Sequence, residues 1–331
     1  MGNQTRQVSS GFSIGERRTF LKAAVLGGVG LAARATLPDA ALSAAATRVP
    51  PHSETLVATL YKSLSEEQRR VMTFPFDHPL RSKVDNNWAI TPHKINRFYT
   101  ADQQAMIREI FQGVHNPDYV DKVMEHMKED GGSLGNYSIA IFGRPATGKF
   151  EFVLTGRHCT MRCDGDSVEG AAFGGPIFYG HAARDFYEAP DHPGNVYWYQ
   201  AKSANRVFQA LDGRQRQMAL LADPRKEQQT RTVRLDEELA GLPVSEMSRD
   251  QVELVEEVLA DLLLPFRRRD AEEAMRYIKK EGKLDGLSLS FYRSGDIGND
   301  GIWDNWQLQS KNMVWYFRGS PHVHVWVNIR A

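Results

Sequence analysis

Ser320-Pro321-His322-Val323-His324-Val325-Trp326-Val327-Asn328-Ile329 alternates without a break. In an extended chain Val323, Val325, Val327 and Ile329 fall on one side, and His322, His324, Trp326 and Asn328 on the other. A strand buried on its valine side therefore presents two imidazoles about 6.5 Å apart along the backbone. At that spacing they hold one transition metal if a third ligand arrives from another element. The earlier stretch Phe152 to Asp166 supplies His158, and Gly174-Gly175-Pro176-Ile177-Phe178-Tyr179-Gly180-His181 supplies His181. These elements are expected to meet on one sheet.

Working outward, the β character begins at Tyr137 to Phe142. It continues through a long strand, Phe150 to Cys163, a hairpin at Asp164-Gly165-Asp166, and a returning strand, Ser167 to Phe173. Residues 174–195, rich in Gly, Pro and aromatics, read as loop. Strands resume at Leu287 to Arg293, Trp306 to Gln309, Met313 to Arg318 and His322 to Ile329. Helices lie before and between. Ser65 with Gln68, Thr100 with Gln103 and Ser248 with Gln251 form capping boxes ahead of apolar periods, and Asn116-Pro117 starts a further helix. Helices are also expected at Ala201 to Leu211 and, after Asp212-Gly213, through Met218 to Leu221, and Arg267 to Gly282 reads as a charged helix. Residues 73–98 read as a long ordered loop and 224–244 as irregular and solvated. The pattern indicates an α+β fold, a mixed or antiparallel sheet from the middle and C-terminal strands covered by helices. Residues 47–331 are expected to form one domain, and no internal repeat is visible.

The 331 residues are 25% charged and 41% hydrophobic, and 41 Lys+Arg balance 41 Asp+Glu. Zero formal charge gives no reason to expect nucleic acid or an anionic membrane as partner. No apolar run is long enough for a mature membrane span. Residues 1–46 are expected to be a targeting segment. Arg17-Arg18-Thr19-Phe20-Leu21-Lys22, a mild apolar run from Ala23 to Ala33, and Ala44-Ala45-Ala46 together resemble a twin-arginine (Tat) export signal. That implies the Tat machinery as partner and a periplasmic or secreted protein. The two cysteines, Cys159 and Cys163, lie about 13 Å apart on a straight strand, too far for a disulfide.

On such a strand His158, Thr160 and Arg162 share one face, and Cys159, Met161 and Cys163 the other, apolar one. If the middle and terminal strands use the same sheet face, His158, His322 and His324 converge, with His181 a spare ligand. That set suits Zn, Cu, Fe or Mn. Otherwise the histidines are surface or hydrogen-bonded fillers. Arg157 and Arg162 are candidate clamps for a substrate anion, or ordinary ion-pair partners. Gly143-Arg144-Pro145-Ala146-Thr147-Gly148-Lys149 imitates a phosphate loop. However, Phe150 stands where a magnesium-binding hydroxyl belongs and a strand pattern follows, so no nucleotide is expected. The aspartates from Asp296 to Asp304 suggest calcium, but Gly298 and Gln307 occupy ligand positions, and the segment reads as a turn-rich loop. Nothing marks a Ser-His-Asp triad.

Leu64-Ser65-Glu66-Glu67-Gln68-Arg69-Arg70, the stretch Tyr137 to Asp166, Phe173-Gly174-Gly175-Pro176 and Val314 to Ile329 resemble the family known as domain of unknown function 3500. The resemblance runs from about Leu56 to Ile329. Its most specific parts are Gly156-Arg157-His158 and Phe317 to Pro321. Family members often carry a second His where this chain has Arg157, Asn at Arg162, and acidic residues at Trp326 and Asn328. This chain instead has His322 and His324, which implies a subgroup with its own ligand set. The family implies no activity. The residues themselves lead to a metal-dependent hydrolase or oxidoreductase with Arg157 and Arg162 as clamps. The alternative is a non-catalytic periplasmic binding or accessory protein whose aromatic loops (Phe74 to Trp88 and Phe173 to Tyr199) hold a ligand.

Overall fold

A hydroxyl or carboxylate side chain three residues ahead of a glutamine recurs at helix starts. After α1 (His52–Ser63), Ser65 caps α2 (Glu66–Met72) while Gln68 reaches back to the Ser65 amide. The short strand β1 (Thr73–Phe74) follows. A long loop holding the single turn α3 (Ile95–Phe98) leads to Thr100 and Gln103, which start α4 (Ala101–Gly113) in the same way. Asn116 caps α5 (Pro117–Gly131), and Gly132, at φ 82°, stops it, in a region that glycine enters without strain. This is a computed structural model that describes residues 52–182, 196–279 and 283–331; the expected export segment, residues 1–46, lies outside them.

The first strand group is β2 (Ser138–Gly143), β3 (Phe150–Gly156), β4 (Cys159–Cys163) and β5 (Ile177–His181). Two expectations need correction. Phe150 to Cys163 is not one strand, because Arg157-His158 forms a two-residue turn that folds β4 back on β3, with Gly156 opposite Cys159. A side chain at Gly156 would run into the Tyr137 ring, so the glycine lets that ring pack beside the turn. Nor does Ser167 to Phe173 return as a strand. The partner of β4 is β5, inside the stretch read as loop. The lookalike phosphate loop is the tight connection between β2 and β3, closed by the Arg144 amide on the Lys149 carbonyl at 3.0 Å.

The second group of elements comprises α6 (Tyr199–Ala210), α7 (Gly213–Ala219), β6 (Leu220–Leu221), β7 (Leu242–Pro243), α8 (Arg249–Leu263), α9 (Arg268–Ile278), β8 (Ser288–Tyr292), β9 (Asn305–Gln309), β10 (Met313–Arg318) and β11 (Val323–Ile329). Both strand groups join one mixed sheet, in the order β1-β2-β3-β4-β5-β11-β10-β9-β8-β6, with β7 also on β8. Only the β1–β2 and β6–β8 pairings are parallel among the described strands. This is the α+β architecture expected. One sheet face is covered by helices, and Val323, Val325, Val327 and Ile329 enter that core at 1% exposure or less. The other face carries Phe178, Val314, Tyr316 and Trp326 beneath Val84 and Val233, which come from the two long loops.

The sheet order is a palindrome about the β5–β11 seam, and the helices repeat with it. Asp212 and Gln215 cap α7 as Ser65 and Gln68 cap α2; Ser248 and Gln251 cap α8 as Thr100 and Gln103 cap α4. The side-chain amides of Gln68 and Gln103 bond each other reciprocally at 2.8 and 3.0 Å, and those of Gln215 and Gln251 do so at 3.0 and 2.8 Å. Each glutamine also donates to a backbone carbonyl two residues before the other box: Phe98 and Ser63 in one half, Glu246 and Ala210 in the other. Phe74 lies beside Phe142 as Leu221 lies beside Tyr292. The two-residue turn Arg157-His158 matches Lys311-Asn312. The molecule is built from two structurally equivalent halves, an internal repeat not visible in the residue identities.

Candidate metal centre

His158 does not sit on a strand face. It ends the β3–β4 turn at φ 50°, a left-handed conformation that is uncommon for residues other than glycine. Its amide donates to the Asn86 carbonyl at 2.8 Å, and Arg157 bridges Asn87, so the first covering loop fixes the turn. His322, just ahead of β11, and His324 within it lie on the face opposite the valines, as their alternation requires. His324 lies opposite Gly180 of β5, and His158 is one residue beyond the last β4–β5 pair. On this face the row therefore runs His324, no side chain, His158. Across two strand spacings, roughly 10 Å, the imidazoles meet over the gap that Gly180 leaves. A Cβ on Gly180 would lie 2.3 Å from the Val323 carbonyl oxygen.

The Nε2 atom of His322 is 3.1 Å from that of His158 and 2.9 Å from that of His324. Each of the three residues has one ligand atom within 4.8 Å of the others, and all three residues are buried, at 7, 4 and 3% exposure for His158, His322 and His324. Behind His158, Asp130 at the end of α5 receives Nδ1 in a short contact and also the Nε of Arg157 at 2.8 Å. Behind His324, Glu227 from the loop between β6 and β7 meets Nδ1 at 2.8 Å, and its other oxygen lies 3.2 Å from the Nε of Arg318. The arrangement is thus a pair of Arg–carboxylate–His triplets, Arg157–Asp130–His158 and Arg318–Glu227–His324, closing on His322.

The electrostatics favour neutral rings at His322 and His324. Burial, then the charges of His324, His158 and Arg318, pushes His322 down to about 3. His324 lies well below its ordinary range for the same first reason, with Arg318 and His158 adding to it. Burial alone would raise Asp130, but its hydrogen bonds to His158 and Arg157 and their charges hold the carboxyl down at about 2. Burial raises Glu227, and Arg318 offsets only part of that. A carboxylate on Nδ1 keeps the proton there and turns the Nε2 lone pair inward. His158 and His324 then aim lone pairs at one place, and His322 has one Nε2 position with which to answer both. Three imidazoles so arranged could hold a metal ion.

The chain belongs to the family described as "Protein of unknown function (DUF3500)", whose model matches residues 51–324. No curated protein and no solved structure matches. The matched span takes in all three histidines, both carboxylates and both arginines of the two triplets.

The remaining sequence candidates lie elsewhere. His181 is on the helix-covered face of β5, its ring 4.6 Å from that of His126 and its Nε2 3.8 Å from Glu129. Strand parity separates it from the other three histidines. Arg162 is buried and donates to Glu151 and to the carbonyls of Pro176, Arg81 and Lys83. Its guanidinium ties the first covering loop to the sheet and has no group left to hold a substrate. Cys159 and Cys163 are free thiols in the helix-side core, so neither thiol reaches the centre. In the aspartate loop, Asp296 accepts the amides of Asp300 and Gly301, and Asp304 accepts that of Ile297. The carboxylates there serve the turns.

Sequence reasoning passed over Asp130, Glu227 and Arg318. Asp130 did leave a signal, since an acidic residue in the last turn of a helix opposes the macrodipole and calls for another reason. Arg318 lies in the Phe317 to Pro321 motif, which by itself assigns it no role. Glu227, in an irregular stretch, gave none.

Proposed function

We propose that this protein is an exported metal-dependent enzyme in which His158, His322 and His324 hold one transition metal and leave a fourth position for water or substrate. The observation that carries the reading is the meeting of three Nε2 atoms with carboxylates behind two of the rings. A ligand set of three neutral imidazoles leaves the full charge of a divalent ion at the open position, which suits activation of bound water in the manner of three-histidine zinc sites. Hydrolysis or hydration is favoured over electron transfer, because both thiols and Met161 face the opposite side of the sheet. Asp130 and Glu227 orient the ligands, and Arg157 stands at the margin with its side chain 42% exposed. Export by the twin-arginine route belongs to the same proposal, as folding before transport allows a metal to be seated first.

Elemental analysis of protein purified through its own export route tests the reading. One equivalent of metal is expected, lost in a His322→Ala, His324→Ala double variant that keeps its secondary structure. A metal-free protein whose folding the double variant leaves unchanged would move the assignment to the non-catalytic binding role. Replacing Arg17 and Arg18 by lysine is expected to leave the precursor inside the cell; unimpaired export would remove the Tat assignment.

A further inference from the structure

Resting on that metal reading, we infer that the substrate is a small oxyanion, a carboxylate or a phosphate, received by Arg157 and Arg318 on either side of the centre. Each guanidinium meets its carboxylate at Nε: Arg157 donates a hydrogen bond to Asp130 at 2.8 Å, and Arg318 lies in ion-pair range of Glu227 at 3.2 Å without a hydrogen bond there. Among the described residues neither makes a side-chain hydrogen bond through its Nη groups. A guanidinium fixed at Nε keeps its outer donors in a rigid fork that matches two oxygens of a carboxylate or phosphate. The geometry of the sheet places both beside the metal donors. Arg318 is the direct β10 partner of His324 and so shares its face; Arg157 adjoins His158 in the turn. Their side chains are 42% and 21% exposed, for Arg157 and Arg318 respectively, whereas the histidines are buried.

Charge balance points the same way. Asp130 pairs with Arg157 and Glu227 with Arg318, and an imidazole that coordinates through one nitrogen while the other keeps its proton adds no charge to an ion, so a divalent ion would bring two positive charges that these pairs do not offset. Buried net charge is unfavourable until a counter-charge enters. An anion reaching the metal while its other oxygens engage the Nη donors supplies that charge.

The test loads the protein with Co(II), whose visible bands report the coordination sphere, and confirms the stoichiometry by elemental analysis. Inorganic phosphate and acetate are then titrated separately. A saturable band shift is expected with at least one, and the anion that saturates at lower concentration names the class. Arg157→Gln and Arg318→Gln are each expected to weaken that response by roughly tenfold or more with cobalt stoichiometry kept, and Arg318→Lys to weaken it less. If Arg318→Gln does not fold, Arg318→Lys and Arg157→Gln carry the test. A cobalt-replete protein with no saturable response to either anion overturns the inference while leaving the metal reading intact. Variants that respond as the parent does, or that lose the metal, also overturn it, the latter by reducing the arginines to props for their carboxylates. Failure to bind any metal is seen before an anion is added and removes both.

Discussion

The turns Arg157-His158 and Lys311-Asn312 occupy equivalent places in the two halves and do opposite things. Asn312 closes its turn, with its side-chain amide donating to the carbonyls of Tyr277 at 2.7 Å and Arg330 at 3.0 Å. His158 instead backs onto Asp130 and points its ring at two histidines from the other half. The backbone sharpens the contrast. Asparagine tolerates the left-handed region better than histidine does, yet His158 adopts it and Asn312 does not. The fold alone is satisfied by an amide at this place. Strain and a buried carboxylate gathered behind a histidine are the marks of a position kept for chemistry.

Importing the second half's solution into the first tests this most severely. His158→Asn removes a ligand and is expected to lower metal affinity by more than about 100-fold, beyond the range for outer-sphere partners, with the thermal midpoint of the metal-free protein not reduced. Competition with a chromophoric chelator measures the affinity. Unchanged affinity would mean the two turns differ for some other reason.

Next in size, the equivalence of the halves predicts equal losses. Gln103→Ala and Gln251→Ala each leave a buried partner amide and a helix start without bonds, costing about 2 kcal/mol. Urea unfolding of the single and double variants should show similar and nearly additive effects, as for distant sites. A loss confined to one variant would show that the repeated cap matters in one half only.

The smallest effect concerns acid. Burial lowers His115 to about 4, below the ordinary histidine value near 6.5. The unfolded chain therefore binds the extra proton first, and this residue's contribution is present above pH 6.5 and lost as pH falls towards 4. His115→Phe gives up the bond to the Phe111 carbonyl but should narrow the stability difference between pH 7 and pH 5 by about 1–2 kcal/mol. Parallel pH profiles for parent and variant would place the acid sensitivity elsewhere.

Much of this was legible beforehand, for identifiable reasons. Val323 to Ile329 alternates, so its buried face and the outward aim of His322 and His324 followed from period two alone. The capping boxes at Ser65, Thr100 and Ser248 announced their helices because a side-chain oxygen and a glutamine at fixed spacing do local work. The turn at Arg157-His158 was hidden, since Phe150 to Cys163 reads as continuous strand and a single glycine was its only mark. β5 was hidden by the glycines and proline of its approach, although Gly180 is there for the close passage of β11. The repeat was invisible because equivalent positions share a role and not an identity: Ser65 answers to Asp212, and His158 to Asn312. Asp130 and Glu227 are brought to the histidines only by tertiary packing.

Since His158 comes from one half while His322 and His324 come from the other, an ion seated among them is a rivet through the joint at β5 and β11. The two blocks already share a sheet and a core, and a bound ion would add one more tie between them. Heat or a protease would then open that seam more readily in the metal-free protein than in the loaded one.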